Sequence, residues 1–236
     1  MRRILVPILA ALSLLAALRP SVANASNAAE DVVPGVTIGE SLDDSTRPSL
    51  TSADNRRFCT LAFLVRTSNG GAGALTAGHC VDDAPAWIFL AYSPTDAWRP
   101  FGHPLMRAYR DDEGSDVALL AVDQSAGIPV DARVGYKYPV GGWADGATLE
   151  AQRPELCAWG AMTGLTCGPF LRVVGGKGQF RAPSRHGDSG APVFAQMAGG
   201  QVAAVGVLDG SPADDGGVIT FELIGPWLQR WGLTLL

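Results

Sequence analysis

The segment His186-Gly187-Asp188-Ser189-Gly190-Ala191-Pro192 holds a serine between glycines on a tight loop that leads into an apolar run. Glycines there let the backbone come close to a substrate carbonyl. The N–H groups of Gly187 and Ser189 can then both aim at the oxygen that becomes negative, forming an oxyanion hole. A serine hydroxyl is a poor nucleophile at neutral pH and needs a base within hydrogen-bond reach. His79, in Leu75-Thr76-Ala77-Gly78-His79-Cys80, ends an apolar run in a small-residue turn, and an imidazole titrates near neutrality. Asp116, in Gly114-Ser115-Asp116-Val117-Ala118-Leu119-Leu120, precedes a strongly apolar run that would carry it into a protected position. There it can fix the imidazole tautomer and stabilise the imidazolium. Alone, Gly-Asp-Ser-Gly is an ordinary turn and His-Cys an ordinary structural pair. Together, in the order His, Asp, Ser, the three describe acyl transfer through a covalent serine ester.

The elements that must position these groups are strands. The chain has 236 residues with 47% hydrophobic and 17% charged residues, and its 29 glycines and 16 prolines fall between short apolar runs. Residues 59–65, 87–92, 104–109 and 117–122 form one set of predicted strands. After a Gly-rich joint at 135–146, residues 147–152, 170–174, 192–195, 202–208 and 218–223 form a second. Such spacing suits an all-β fold of sandwiches or barrels. Gly225 to Trp231 differs: Pro226 opens it, and Trp227, Leu228 and Trp231 share one face, which predicts a terminal helix.

The segments Thr76-Ala77-Gly78-His79-Cys80, Ser115-Asp116-Val117-Ala118-Leu119-Leu120 and Gly187-Asp188-Ser189-Gly190-Ala191-Pro192 resemble the signatures of chymotrypsin-like serine peptidases, in the same chain order. Cys157 to Cys167, with Gly168, is similar to the short disulfide loop of the bacterial secreted branch, the streptogrisin and α-lytic group. The resemblance covers about residues 56–236. It implies two packed six-stranded Greek-key β-barrels, 56–135 and 136–236, the second carrying the C-terminal helix, with the triad His79, Asp116 and Ser189 in the cleft between them. Four cysteines allow three pairings, and the resemblance implies Cys59–Cys80 and Cys157–Cys167. It also implies a protein or peptide substrate and a monomer.

The chain departs from that family pattern at several points. Nothing matches an Ile-Val-Gly-Gly start beyond a faint echo in Val36-Thr37-Ile38-Gly39, so insertion of a freed N-terminus beside Asp188 is not expected. Ala158 and Trp159 stand where the bacterial branch often has an arginine facing that aspartate, which leaves the partner of Asp188 open. Asp209 occupies a position that is usually serine, on the strand expected to run along the substrate, where its acid could perturb the triad or line the specificity pocket. Pro183 occupies the place of the trypsin-like pocket acid. Pro183, Asp209, Gly210 and Ser211 are the expected substrate-binding residues, with an apolar or small side chain as the expected preference.

The first residues combine Arg2 and Arg3, an apolar stretch to Leu18 and a small-residue ending at Ala23-Asn24-Ala25. At about 14 residues the stretch is short of the roughly 20 that span a bilayer, so residues 1–25 read as a signal peptide. Residues 26–55 are polar and aperiodic, and read as a pro-segment or an ordered arm. Export places the four cysteines in an oxidising compartment, where two disulfides are expected in a secreted protein without stable membrane association. A net charge of −5 offers no basic footprint for nucleic acid. Asp111-Asp112-Glu113 reads as a solvated turn, with calcium as the alternative. His103 reads as a surface or packing residue, His186 as a solvated loop residue with substrate contact as the alternative, and the six tryptophans as packing. The chemistry calls for no cofactor and no metal.

Overall fold

The computed structural model describes residues 31–41, 58–81, 87–91, 98–109, 114–210 and 217–236. The amino-terminal segment read as a signal peptide, the acidic run at 111–113 and Ser211 lie outside them.

The first sheet contains β1 (Thr37–Ser41), β2 (Phe58–Thr60), β3 (Leu64–Arg66), β4 (Ala72–Thr76), β5 (Trp87–Ala91), β6 (Arg99–Tyr109) and β7 (Asp116–Val122). The second contains β8 (Val140–Trp143), β9 (Glu155–Gly160), β10 (Gly164–Val174), β11 (Lys177–Arg181), β12 (Pro192–Gln196), β13 (Val202–Gly210) and β14 (Val218–Leu223). Two short helices, α1 (Gly146–Gln152) and α2 (Gly225–Arg230), and a final strand β15 (Thr234–Leu235) complete the described elements.

The second sheet closes into a six-stranded ring because β12 pairs both β13 and β9. The first closes differently. Residues 58–66 run as one bent segment whose first part, β2, pairs β1 and whose second part, β3, pairs β4. Taking that segment as a single strand, the first ring reads β1, β2/β3, β4, β7, β6, β5, and β5 returns to β1. The second reads β9, β10, β11, β14, β13, β12. Both rings therefore follow one Greek-key order: first, second, third, sixth, fifth, fourth.

The period-2 alternation of strands packs the rings together. On β12, Val193 and Ala195 enter the second core beside Phe180 and Phe221, while Phe194 between them faces the core built around Leu61, Phe63 and Phe101. On β13, Val202, Ala204 and Val207 face that first core, and Val205 and Leu208 the second. Trp227 and Leu228 of α2 join the first core as well, and β15 then pairs with β3.

Two expectations need correction. The first barrel was expected to begin at residue 56, yet β1 lies upstream and sits between β2 and β5. The expected strand at 147–152 is helix α1: the Asp145 side chain accepts from Thr148 N–H, the segment is rich in good helix formers, and its one buried residue is Leu149. The short disulfide loop is a β-hairpin, with Cys157 and Cys167 opposite one another on β9 and β10. Both pairings that the resemblance implied, Cys59–Cys80 and Cys157–Cys167, are formed.

The arm before β1 is part of the core. Val32, Val33 and Val36 are buried, Val32 bonds through its backbone to Pro129 and Asp131, and Gly35 N–H donates to the Leu61 carbonyl. Trp159 lies over Gly35 and Gly135, where an added Cβ would come within 2.5 Å of its ring. The packing predicts that any processed form, sequenced at its N-terminus, starts at or before Asp31. A start beyond Val36 would be incompatible with this packing.

Candidate active site

Each side chain singled out by the sequence stands at the end of a strand. His79 lies in a single 3₁₀ turn, Gly78–Cys80, directly after β4. That turn is tied down three ways: Cys80 is bridged to Cys59 of β2, Arg107 Nε of β6 donates to the Gly78 carbonyl at 2.8 Å, and His79 N–H donates to Asp116 Oδ1 at 2.8 Å. Gly78 is required there, because a Cβ would come within 2.9 Å of the Ala108 carbonyl. Asp116 opens β7 and is 2% exposed. Its second oxygen accepts from His79 Nδ1 at 2.7 Å. With Nδ1 so engaged, Nε2 is the nitrogen left to take a proton.

Ser189 reaches the same region from the second barrel. Its carbonyl accepts from Thr60 N–H at 2.7 Å, and Gly190, at φ +86°, packs so closely that a Cβ would lie 2.3 Å from the Thr60 carbonyl. Thr60 is a buried clasp between the barrels. Its hydroxyl donates to the Gly187 carbonyl at 2.7 Å and accepts from Ala161 N–H at 3.0 Å, while its own carbonyl accepts from Thr76 Oγ1. The Ser189 hydroxyl donates to the Asp209 carbonyl at 3.4 Å, and among the described residues no hydrogen bond joins it to His79.

The partner of Asp188 is now identified. Its carboxylate is fully buried and accepts from Met162 N–H and Thr163 N–H on one oxygen, and from Thr163 Oγ1 and Arg185 N–H on the other. Backbone dipoles of the β9–β10 turn stand in for a cation. Gly160 makes the room, since a Cβ there would fall 2.1 Å from Asp188 Oδ1. The sequence reading missed Gly160 and Thr163, although the tight run Trp159-Gly160-Ala161-Met162-Thr163 carries them. Gly187 is held at φ +95°, and Met162 covers it.

Of the two roles the sequence leaves to Asp209, acting on the triad or lining a pocket, its place beside Asp116 and His79 fits the first. Its carboxyl turns to Asp116 and to Lys177 of β11, with Lys177 Nζ in close contact with Oδ2. One oxygen of Asp116, one of Asp209 and a His79 ring nitrogen all lie within 4.8 Å of one another. Glu222 of β14 completes the group: Oε2 accepts from Asp116 N–H at 3.3 Å and lies 3.9 Å from Lys177 Nζ, and Oε1 accepts from Trp227 Nε1 at 2.8 Å. Gly210 is half-buried at the end of β13, and Pro183 and His186 are exposed on the loop before Ser189. His103 is exposed on β6, edge-on to Trp87.

The electrostatics follow from these contacts. Burial pushes the His79 imidazolium down, but the hydrogen bond and charge of Asp116, aided by Asp209, outweigh it, and the His79 pKa is raised. Burial pushes Asp116 up, yet its hydrogen bonds with His79 and Asp209 hold it below the usual carboxylate range. Asp209 is raised to about 7, by burial first and then by Asp116, with Lys177 opposing. Burial also raises Glu222, against its bond from Trp227 and the charge of Lys177. The two other His, Cys and acidic groupings close enough to share an ion among the described residues both depend on disulfide cysteines.

No protein-family model matches the sequence, and no curated protein is significantly similar to it. Solved structures share the fold. Protease A of Thermobifida fusca superposes with a TM-score of 0.60 at 23% identity, over 87% of this chain and 98% of that one. A chymotrypsin of Cellulomonas bogoriensis gives 0.58 at 24%, over 87% and 98%. A glutamic-acid-specific serine protease that uses a histidine triad in substrate binding gives 0.63 at 20%, over 87% and 100%. The chain has the chymotrypsin fold of bacterial serine proteases.

Proposed function

We propose that the chain is a secreted serine endopeptidase in which Ser189 attacks a peptide carbonyl, His79 takes its proton and Asp116 orients the imidazole. The observation that carries this reading is the His79 Nδ1–Asp116 Oδ2 bond of 2.7 Å, held by a fixed turn beside the Ser189 loop of the facing barrel. The N–H groups of Gly187 and Ser189 would bind the oxyanion, on a loop that Asp188 and Thr60 already hold in shape. As the C–N bond breaks, His79 gives that proton to the leaving amine, and the acyl-enzyme ester then yields to water with His79 acting again as base. Two disulfides and the amino-terminal pattern support export, and among the described residues no helix is long and apolar enough to cross a membrane.

The substrate is a protein or peptide, cleaved by a monomer, with an apolar or small side chain before the scissile bond. Recognition of glutamate through a histidine triad belongs to that neighbour, at 20% identity, and is not carried over to this chain. One observation favours a second reading, a binding or scaffold protein on this fold: the Ser189 hydroxyl bonds the Asp209 carbonyl rather than His79. Catalytic hydrogen bonds often tighten only when substrate binds, so rotation of the hydroxyl toward Nε2 is the movement that peptidase activity requires.

Burst titration with an activated ester and labelling by a fluorophosphonate decide between the two. The peptidase reading expects one acyl group per chain, attached at Ser189, and a scaffold would show neither signal. Turnover of peptides as well as esters separates a peptidase from an esterase.

A further inference from the structure

The triad aspartate has an ionisable neighbour that the acyl-transfer chemistry does not require. Asp209 stands one residue before the end of β13 with its carboxyl against Asp116, and Lys177 holds the far side of that carboxyl. Lys177 in turn faces Glu222, which accepts from the backbone N–H of Asp116. Three strands of the second barrel thus converge on an aspartate supplied by the first. Asp209 and Lys177 side chains are 25% and 20% exposed, so the group lies under the cleft floor rather than sealed away.

From this arrangement we infer that Asp209 is a positioning residue for the triad: its carboxyl shares a proton with Asp116, and the loss of that proton adds a negative charge beside His79. The inference rests on the peptidase reading for its consequence in catalysis, and on geometry alone for the shared proton.

Two carboxyl groups this close cannot both be ionised without cost, so the pair retains a proton to higher pH than a lone carboxyl. Asp116 is the member that stays ionised, because it accepts both the backbone N–H and the ring N–H of His79. The protonated Asp209 then donates to Asp116 and adds one more bond that fixes its rotamer. The groups facing Asp209 are His79 from the turn after β4, Asp116 from β7 and Lys177 from β11, with Glu222 from β14 behind Lys177. When Asp209 ionises, Lys177 neutralises part of its charge, and the remainder stabilises the His79 imidazolium. Asp209 is raised to about 7 and His79 is raised as well, and because the charge of each acts on the other the two ionisations are coupled and appear as macroscopic steps of the pair.

The consequence is an acid limb of kcat/KM that is broader than a one-proton curve. Asp209→Asn keeps a donor toward Asp116 but cannot ionise. It is expected to sharpen the limb to a single proton and move its midpoint down by about half a pH unit. Asp209→Ala, which also loses the donor, is expected to sharpen the limb in the same way and to lower kcat about tenfold below Asp209→Asn. A limb of Asp209→Asn that superposes on the native one, in folded protein that still labels at Ser189, overturns the inference. Titration of the His79 ring by NMR provides a readout independent of turnover. The His79 pKa should fall in Asp209→Asn even if the native protein neither labels nor cleaves, a result that would sink the peptidase reading alone, and an unchanged ring pKa would remove the shared proton.

Discussion

Replacing Ser189 with alanine is expected to lower kcat for peptide cleavage by about 10⁴ to 10⁶-fold, while KM moves little. The hydroxyl is the only atom lost, and the loop around it is fixed by Thr60, Asp188 and Leu208 through backbone contacts that alanine preserves. His79→Ala should cost about as much, because serine without its base is unreactive. The double variant should be no worse than either single one, which is the mark of groups acting as a unit. Stopped-flow and steady-state kinetics on one peptide substrate measure all three. Additive losses would mean that Ser189 and His79 do not share a step. In the native protein, activity should fall as pH drops through the raised pKa of His79, since the protonated ring cannot accept the serine proton.

The second large effect is expected at Asp188. Its buried carboxylate satisfies three N–H groups and one hydroxyl, and Asp188→Ala would orphan all four donors at once. Removing one member of a buried charged network costs about 3 to 5 kcal/mol, so the midpoint of urea unfolding should drop substantially. What remains folded should also acylate slowly. The donors anchor the residues flanking Gly187, and a misplaced oxyanion N–H costs about 10² to 10³-fold in kcat. Gly160→Ala tests the same clasp from the other side, because the new Cβ would press on Asp188 Oδ1. The reading expects both variants to lose burst rate before burst amplitude. Full stability and a native burst in Asp188→Ala would show that the loop is held by Thr60 alone.

What could be read from the sequence divides along a physical line. Runs such as Val117 to Val122 and Val202 to Leu208 are apolar enough to announce buried strands, and they are β7 and β13. The motifs around His79 and Ser189 stand out because close backbone approach demands glycine at Gly78, Gly187 and Gly190. Strand β1 was not legible: Thr37-Ile38-Gly39-Glu40-Ser41 is polar and short, and its membership in the barrel comes from pairing with β2 and β5, a property of distant residues. Helix α1 was missed for the opposite reason, since a capping aspartate outweighed a brief apolar alternation. The turn that holds Asp188 bonds mainly through main-chain N–H groups, which every residue but proline carries, so sequence alone offers little to mark it.

The route of the chain through the two halves has a consequence for dissecting them. The arm and β1 belong to the first barrel, and after the whole second barrel is built the chain comes back as β15 to pair with β3 of the first. The second barrel is therefore an insert, and no single cut yields two complete pieces. A fragment ending between the barrels would lack its final strand and leave the N–H and C=O row of β3 uncovered, an edge that recruits other chains into aggregates. Reassembly from separate fragments would need the terminal strand supplied in trans.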